Sequence, residues 1–497
     1  AGTTTITDTN QADLQTGAGS DGAIVLAVKA GNLALLDGDG NGRAVDADGS
    51  GPVRIDVVDG SLTANASVRS ATGSLTVLTS GNATFANGAD LTTGEEGTVD
   101  VESSAGALLF SATSDLASGS GTIRVAAAAD LLLGGEIRTA GTVSLHGNTI
   151  SDPDTEGGID VVAAALRIDA ATGAGSSANP IETDIDTLAA RATSGGLWIR
   201  EADGLTTGTV AATVQRVGED ASLSSRSDSA LADVATTSGN GSVEVVVVAG
   251  DLVLADSNDD FLAAESAGSG QLHLETLASG STLRLDGEVV STTGTITLRS
   301  AGALLQDSAL TNAVAATSGL LVLDAADGIG RTGTGVLRVS AGQLDLEQTG
   351  NANVYLEVIG STEWVRGEIG NGVAANVYWT QASGTLTISG ADEGGSIRLY
   401  SGRLILRAED RAVLLADGLD LQVADRTELT AGSLTQNGSA SLTLGSGTST
   451  LLIGGNWSMS AGSSVQTATL DGHLTARVWG HAALAAVTVA GDFRLSV

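Results

Sequence analysis

The densest run of oxygen-bearing side chains is DGDGNGRAVDADGSG, Asp37 to Gly51. Asp37, Asp39 and Asn41 stand at positions 1, 3 and 5 of a calcium loop, Gly42 at 6 and Asp48 at 12, and Arg43 would offer its carbonyl at 7. Alternate residues of a tight turn can aim oxygens at one centre, and the glycine permits the bend. Asp46, Asp48 and Ser50 form an overlapping half-motif. Four carboxylates in a glycine-rich loop repel each other unless a cation sits among them, so calcium is the expected cofactor. The pattern departs from a helical EF-hand, with Asp instead of Glu at position 12 and no flanking helices. A weaker copy, Asp256, Asn258 and Asp260 with Glu265, lacks the glycine (Phe261) and the twelfth-position acid (Ala267). The plain alternative for both is a solvated acidic turn, and SDPDTE (Ser151–Glu156) reads as a polar turn.

Other chemistry is thinner. Tyr355, Trp364, Tyr378, Trp379 and Tyr400 gather five of the chain's twelve aromatics, including all three tyrosines. They could stack sugar rings or anchor a partner, or they could fill an irregular coil. His146 and His273 fall on the outward parity of strand-like segments, and His473 and His481 complete the histidines. No Gly-x-Ser-x-Gly elbow occurs and cysteine is absent, which excludes thiolate chemistry and disulfides. The Gly-x-Gly-x-x-Gly matches at Gly17 and Gly328 run into strands where dinucleotide binding needs a helix, so they read as turns. A polysaccharide lyase or hydrolase would need a groove of carboxylates with Lys or Arg, or a paired acid and base.

The elements that must carry these residues announce themselves by repetition. The phrase Gly-x-φ-x-φ, with φ Val, Ile or Leu, recurs at Gly51, Gly73, Gly97, Gly121 and Gly141, and again at Gly241, Gly270, Gly294, Gly319 and Gly342. Alternation over five residues is a strand with one buried face, and the glycine is expected to supply a positive-φ corner. A strand returning every 20 to 25 residues, with no helical pattern between, is a solenoid signature. The expected fold is an all-β single-stranded parallel β-helix of about 20 coils, right-handed by the usual crossover rule. GAIVLAVKAGNLALLD from Gly22 aligns without gaps to GSVEVVVVAGDLVLAD from Gly241, so the coils form tandem modules. The parity places Leu75, Val77, Ile123, Val125, Ile296 and Leu298 inward, and Thr76, Arg124 and Thr297 outward. The organisation expected is solenoid over 1–357 with a calcium-loop insertion near 37–51, an irregular aromatic insertion at 358–383, and solenoid again over 384–497.

Composition bounds the partners. A net charge of −35 opposes nucleic acid and anionic membrane. No apolar run is long enough to insert as a helix in a bilayer. The opening AGTTTITDTN has no leader pattern and the final VAGDFRLSV stops within a strand pattern, so an interior piece of a longer protein is expected.

Two segments, NPIETDIDTLAARATSGGLWIREADGLTTGTV (Asn179–Val210) and STLLIGGNWSMSAG (Ser449–Gly462), resemble repeats of large bacterial exoproteins of the filamentous-haemagglutinin type. The likeness extends over most of the chain as repeat style; the family's amino-terminal secretion domain and carboxy-terminal barrel are not seen. It implies a right-handed β-helical segment at a bacterial cell surface or secreted from it. The expected function is a non-catalytic stalk, fibre or adhesive surface. The partner would be a host or neighbouring-cell receptor or glycan, or further copies of the chain. The alternatives are a self-assembling filament subunit and a β-helical polysaccharidase.

Overall fold

Leu75, Val99, Ile123 and Val143 stand one above another, because each strand pairs in parallel with the strand one phrase later. Leu75–Thr79, Val99–Ser103 and Ile123–Ala127 make one such stack. Ala83–Phe85, Leu108–Phe110 and Leu131–Leu133 make a second. Leu91–Thr92, Leu116–Ala117 and Ile137–Arg138 make a third. One coil is therefore three short strands, and one repeat of the sequence is one coil. The computed structural model describes residues 13–153, 157–306, 310–370 and 374–497. Residues 1–12, the end of SDPDTE and part of the 358–383 stretch lie outside the described residues.

These residues form a β-solenoid of about 19 turns, all-β apart from two single-turn 3-10 segments. The chain divides into two compact units, Ala1–Gly241 and Ser242–Val497. The second is built like the first, with Leu272–Thr276 pairing with Ile296–Ser300 and that strand with the end of Val314–Ala325. No helix among the described residues is long and apolar enough to cross a membrane.

The core is a set of aliphatic ladders. Leu75, Val77, Ile123, Val125, Ile296 and Leu298 are all fully buried, as their parity requires. Phe85 and Phe110 stack in the same way, with ring centroids 4.7 Å apart. Thr297 is half-exposed, but Thr76 and Arg124, expected in water, are buried outside the core by an added element described below.

The phrase glycines have a different cause from the one expected. None of Gly51, Gly73, Gly97, Gly121 or Gly294 has a positive φ. What they provide is close approach: a Cβ on Gly121 would lie 2.0 Å from the carbonyl oxygen of Gly97, and one on Gly294 1.9 Å from that of Gly270. Beside them a corner hydroxyl satisfies the carbonyl of the glycine one coil earlier: Ser70 on Gly51, Thr93 on Gly73, Ser118 on Gly97 and Thr139 on Gly121.

The stretch 358–383 holds two strands in register with the coils. Thr362–Ile369 pairs with Leu337–Gln348, shifting by one residue between Leu344 and Asp345, and Val377–Gln381 pairs with Val354–Val358. The phrase is lost there because tryptophans replace small aliphatic residues at inward positions.

Leu298→Asp should collapse the coils around it, because no partner in the aliphatic ladder can meet a buried carboxylate. Leu298→Ala should cost about 2–5 kcal/mol, while Thr297→Asp on the outer face should be nearly neutral. Hydrogen exchange across residues 272–325 checks this; equal protection in Leu298→Asp and Thr297→Asp would contradict the register.

Candidate functional site

The residues of the expected calcium loop are divided between two places. Asp37 sits in the exposed turn before strand Arg43–Ala47 and accepts hydrogen bonds from the backbone N–H groups of Gly40 (2.6 Å) and Gly42 (2.9 Å). Those donors, Gly42 first, hold its carboxyl below the usual range. Asp39 accepts from Asn41 N–H and the Asn41 side-chain Oδ1 from Arg43 N–H, so the turn is closed by its own side chains on its own backbone N–H groups. Asp46 lies on the strand and is ion-paired to Arg43 (2.6 Å) and Arg69 (2.9 Å). Asp48 accepts from Gly19 N–H at 2.6 Å. Carboxylate oxygens of Asp37 and Asp39 instead come within 4.8 Å of one on Asp13. In the second loop Asp256 accepts from Phe261 N–H and Asp260 from the Asn258 amide, while Glu265 lies on the next strand.

The aromatics also separate. Trp364 and Trp379 are buried and stack at 5.2 Å, so their rings fill the core and face no ligand. Tyr355 and Tyr378, on the outward parity of paired strands, stack at 4.6 Å and are half-exposed. Tyr400 is exposed and donates to Glu368.

The largest surface feature was not anticipated. Residues 210–231 leave the coil path and form an antiparallel hairpin, Val210–Val217 with Leu223–Leu231, which lies along the outer face of the first unit. The coils offer it two columns of outward side chains. One runs Arg54, Thr76, Asp100, Arg124, Ser144, Arg167, and the other Asp56, Leu78, Glu102, Ala126, His146, Asp169. Val217 N–H donates to Thr76 Oγ1 at 3.0 Å and Gln215 N–H to Thr98 Oγ1 at 2.8 Å. Arg216 reaches Asp100 (2.6 Å) and Glu102 (2.7 Å). Arg124, almost fully buried, joins Asp100, Glu102 and the hairpin's Asp228 at 2.8–3.0 Å. Arg167 donates to the Ser229 carbonyl, and at the hairpin's tip Glu219 pairs with Lys29. The phrase lapses for 100 residues between Gly141 and Gly241, but that length equals about four or five coils and so does not mark the hairpin.

Beside the hairpin runs a groove of about 450 Å3 lined by Glu102, Arg124, His146, Arg167, Asp169 and Asp228, among others. Its carboxyls oppose proton donation. Burial would raise them, but Arg216 and Arg124 hold Glu102 low, Arg191 and Arg167 hold Asp169 low, and Arg124 with Ser144 holds Asp228 low. Carboxyls elsewhere behave the opposite way, Glu201 and Asp345 most strongly. Glu201 is fully buried and is raised to about 7 by that burial, against hydrogen bonds from Thr183, Ile185 and Asp203. Asp345 in the second unit is raised to about 6, again by burial, with Arg366 opposing.

Comparison with family models, with curated proteins and with solved structures finds no match to this chain. The repeat architecture stands on its own coordinates.

Arg216→Ala should loosen the hairpin without unfolding the coils, costing about 3 kcal/mol because Asp100 and Glu102 lose a buried partner. Tryptic cleavage at Arg226 should accelerate while the coils stay resistant; an unchanged rate would show that the ion pairs do not hold the hairpin.

Glu201 supplies a pH dependence of definite sign. The folded state keeps its proton up to about pH 7, whereas the unfolded chain releases it near its ordinary value of 4.5. This contribution is full below pH 4.5 and is lost as pH rises toward 7, by roughly 3 kcal/mol. Glu201→Gln should flatten that segment of the stability curve; the same slope in the variant would assign it elsewhere.

Proposed function

We propose that this chain is a non-catalytic structural segment of a large bacterial surface or secreted protein of the filamentous-haemagglutinin type, serving as stalk, fibre or adhesive surface. One observation carries the reading: the apolar content of the repeats is spent on about 19 stacked turns, and the charges of the groove beside the hairpin are paired with one another. A scaffold of this kind places its chemistry on outward columns, one side chain per coil. The stacked, half-exposed Tyr355 and Tyr378 offer the flat apolar ring faces that a glycan partner would use. Copies of the chain are the alternative partner, as in a filament subunit. A calcium ion fits best at Asp13, Asp37 and Asp39, where three carboxylate oxygens converge.

The enzyme reading has one observation in its favour, the groove of Glu102, Asp169 and Asp228 with Arg124 and Arg167. It is the weaker one, since a glycosidase needs a carboxyl that holds its proton near neutral pH and all three of these are held low.

A glycan array should show binding that is lost in Tyr355→Ala with Tyr378→Ala. Turnover of acidic polysaccharides by the purified protein, or glycan binding unchanged in the double variant, would reverse the assignment.

A further inference from the structure

The chain contains a single Asp–Pro bond, Asp152–Pro153, directly after strand Thr142–Ser151. Its surroundings are unlike those of a surface turn. Asp152 is 9% exposed, Asp160 6% and Glu182 9%, and their carboxylate oxygens lie within 4.8 Å of one another. Asn179 bears on both reactive parts of Asp152. Its side-chain N–H donates to the Asp152 carboxylate at 2.8 Å and to the Asp152 main-chain carbonyl at 2.9 Å. Asn179 is itself fixed by a tight turn, with its N–H on Ser176 Oγ and its carbonyl accepting from Ser176 N–H. The Asp160 carboxylate accepts from Glu182 N–H at 2.9 Å, which sets the third member of the group.

We infer that Asp152–Pro153 is a self-cleavage site, at which the fold promotes scission of the chain by the Asp152 side chain. The Asp152 carboxylate attacks its own main-chain carbonyl carbon and closes a five-membered cyclic anhydride. The C–N bond to Pro153 breaks, and the proline nitrogen takes a proton and leaves as a secondary amine. Water then opens the anhydride, leaving Asp152 as a new carboxy terminus and Pro153 as a new amino terminus. No electrons are gained or lost, and one water is consumed. Proline matters because its nitrogen carries no N–H, so it cannot close a succinimide on the aspartate side chain. The Asn179 amide, already on the carbonyl oxygen, meets the negative charge that develops there during attack. Glu182, whose carboxyl oxygen lies within 4.8 Å of that of Asp152, is the proton source, and burial together with the neighbouring Asp152 charge raises its carboxyl above the usual range.

A nick there would not release the pieces. Thr142–Ser151 pairs along its length with Val161–Ala174, so both halves stay stacked under native conditions. The break becomes visible only after denaturation.

The test uses the full chain at pH 5, incubated folded or in urea and read by intact mass after denaturation. The folded protein is expected to yield the 152/153 products at least about tenfold faster than the unfolded chain. Asn179→Ala and Glu182→Gln, each checked for native circular dichroism, should fall toward the unfolded rate, and Asp152→Asn should give no anhydride-derived product. Should a variant fail to fold, the wild-type comparison of folded with unfolded chain decides alone. Equal or slower cleavage in the folded state overturns the inference, as does a folded Asn179→Ala or Glu182→Gln protein that cleaves at the wild-type rate.

Discussion

The rest of the fold depends on a close approach at the coil corner, between a glycine of the repeat phrase and the carbonyl of the glycine one coil earlier. Parallel coils stack at the strand spacing of about 4.8 Å only if the corners stack as tightly as the strands. A side chain at the Gly121 or Gly294 corner would lie at bond-length range from the oxygen of the neighbouring coil. The corner carbonyls point away from the strand ladders, and a buried carbonyl needs a donor. Ser70, Thr93, Ser118 and Thr139 provide it. With the corners closed, register between coils is fixed, and every inward Leu, Ile or Val meets its equivalent above and below. The aliphatic ladders follow from the corner.

The same register acts on the outer surface. A side chain on the outward parity repeats in a column, so charges that would be solvated singly are brought to strand spacing. In the first unit the column brings Asp100 beside Arg124, and the hairpin adds Arg216 on Asp100 and Asp228 on Arg124. The pairs share partners: Arg124 serves Asp100, Glu102 and Asp228, and Arg216 serves Asp100 and Glu102 again, so the loss of one arginine is felt by several carboxylates. Charge pairing adds to the burial of Val210, Ala212, Val214, Val217 and Leu231 in holding the hairpin to the coils.

Much of the solenoid was legible because it depends on parity and period, both of which are local. Leu75, Val77 and Leu298 could be placed inward from five-residue windows. The glycine positions were legible too, but their reason was not, because an approach between coils leaves no mark within one coil. The hairpin was missed for a related cause. Val210–Val217 alternates apolar and polar residues like any coil strand, and nothing local says that it pairs antiparallel. The acidic loop shows the opposite failure. Its spacing predicted convergence, but Asp46 falls on a strand whose neighbour one coil later carries Arg69, and the ion pair takes it out of the loop.

The internal repeat makes the role of the hairpin sharper. The unbroken offset of 219 residues places His273 and Glu275 where Arg54 and Asp56 stand. Continuing up the stack, Thr297, Val322, Asp345 and Arg366 form one outward column, and Glu275, Arg299, Asp324, Glu347 and Glu368 the other. Among the described residues no hairpin lies over this face, and its counter-charge is short. Arg366 serves Glu347 and Glu393 and lies only within 3.8 Å of Asp345. Burial therefore raises Asp324, Asp345 and Glu347, while Glu102, which stands at the place of Asp324 under the hairpin, is lowered. The backbone module and the column positions are the same in both units. The electrostatic outcome differs in the supply of arginine: under the hairpin Arg216 of the ribbon joins Arg124, Arg167 and Arg191 of the coils, whereas the second face sets Arg299 and Arg366 against Asp324, Asp345 and Glu347.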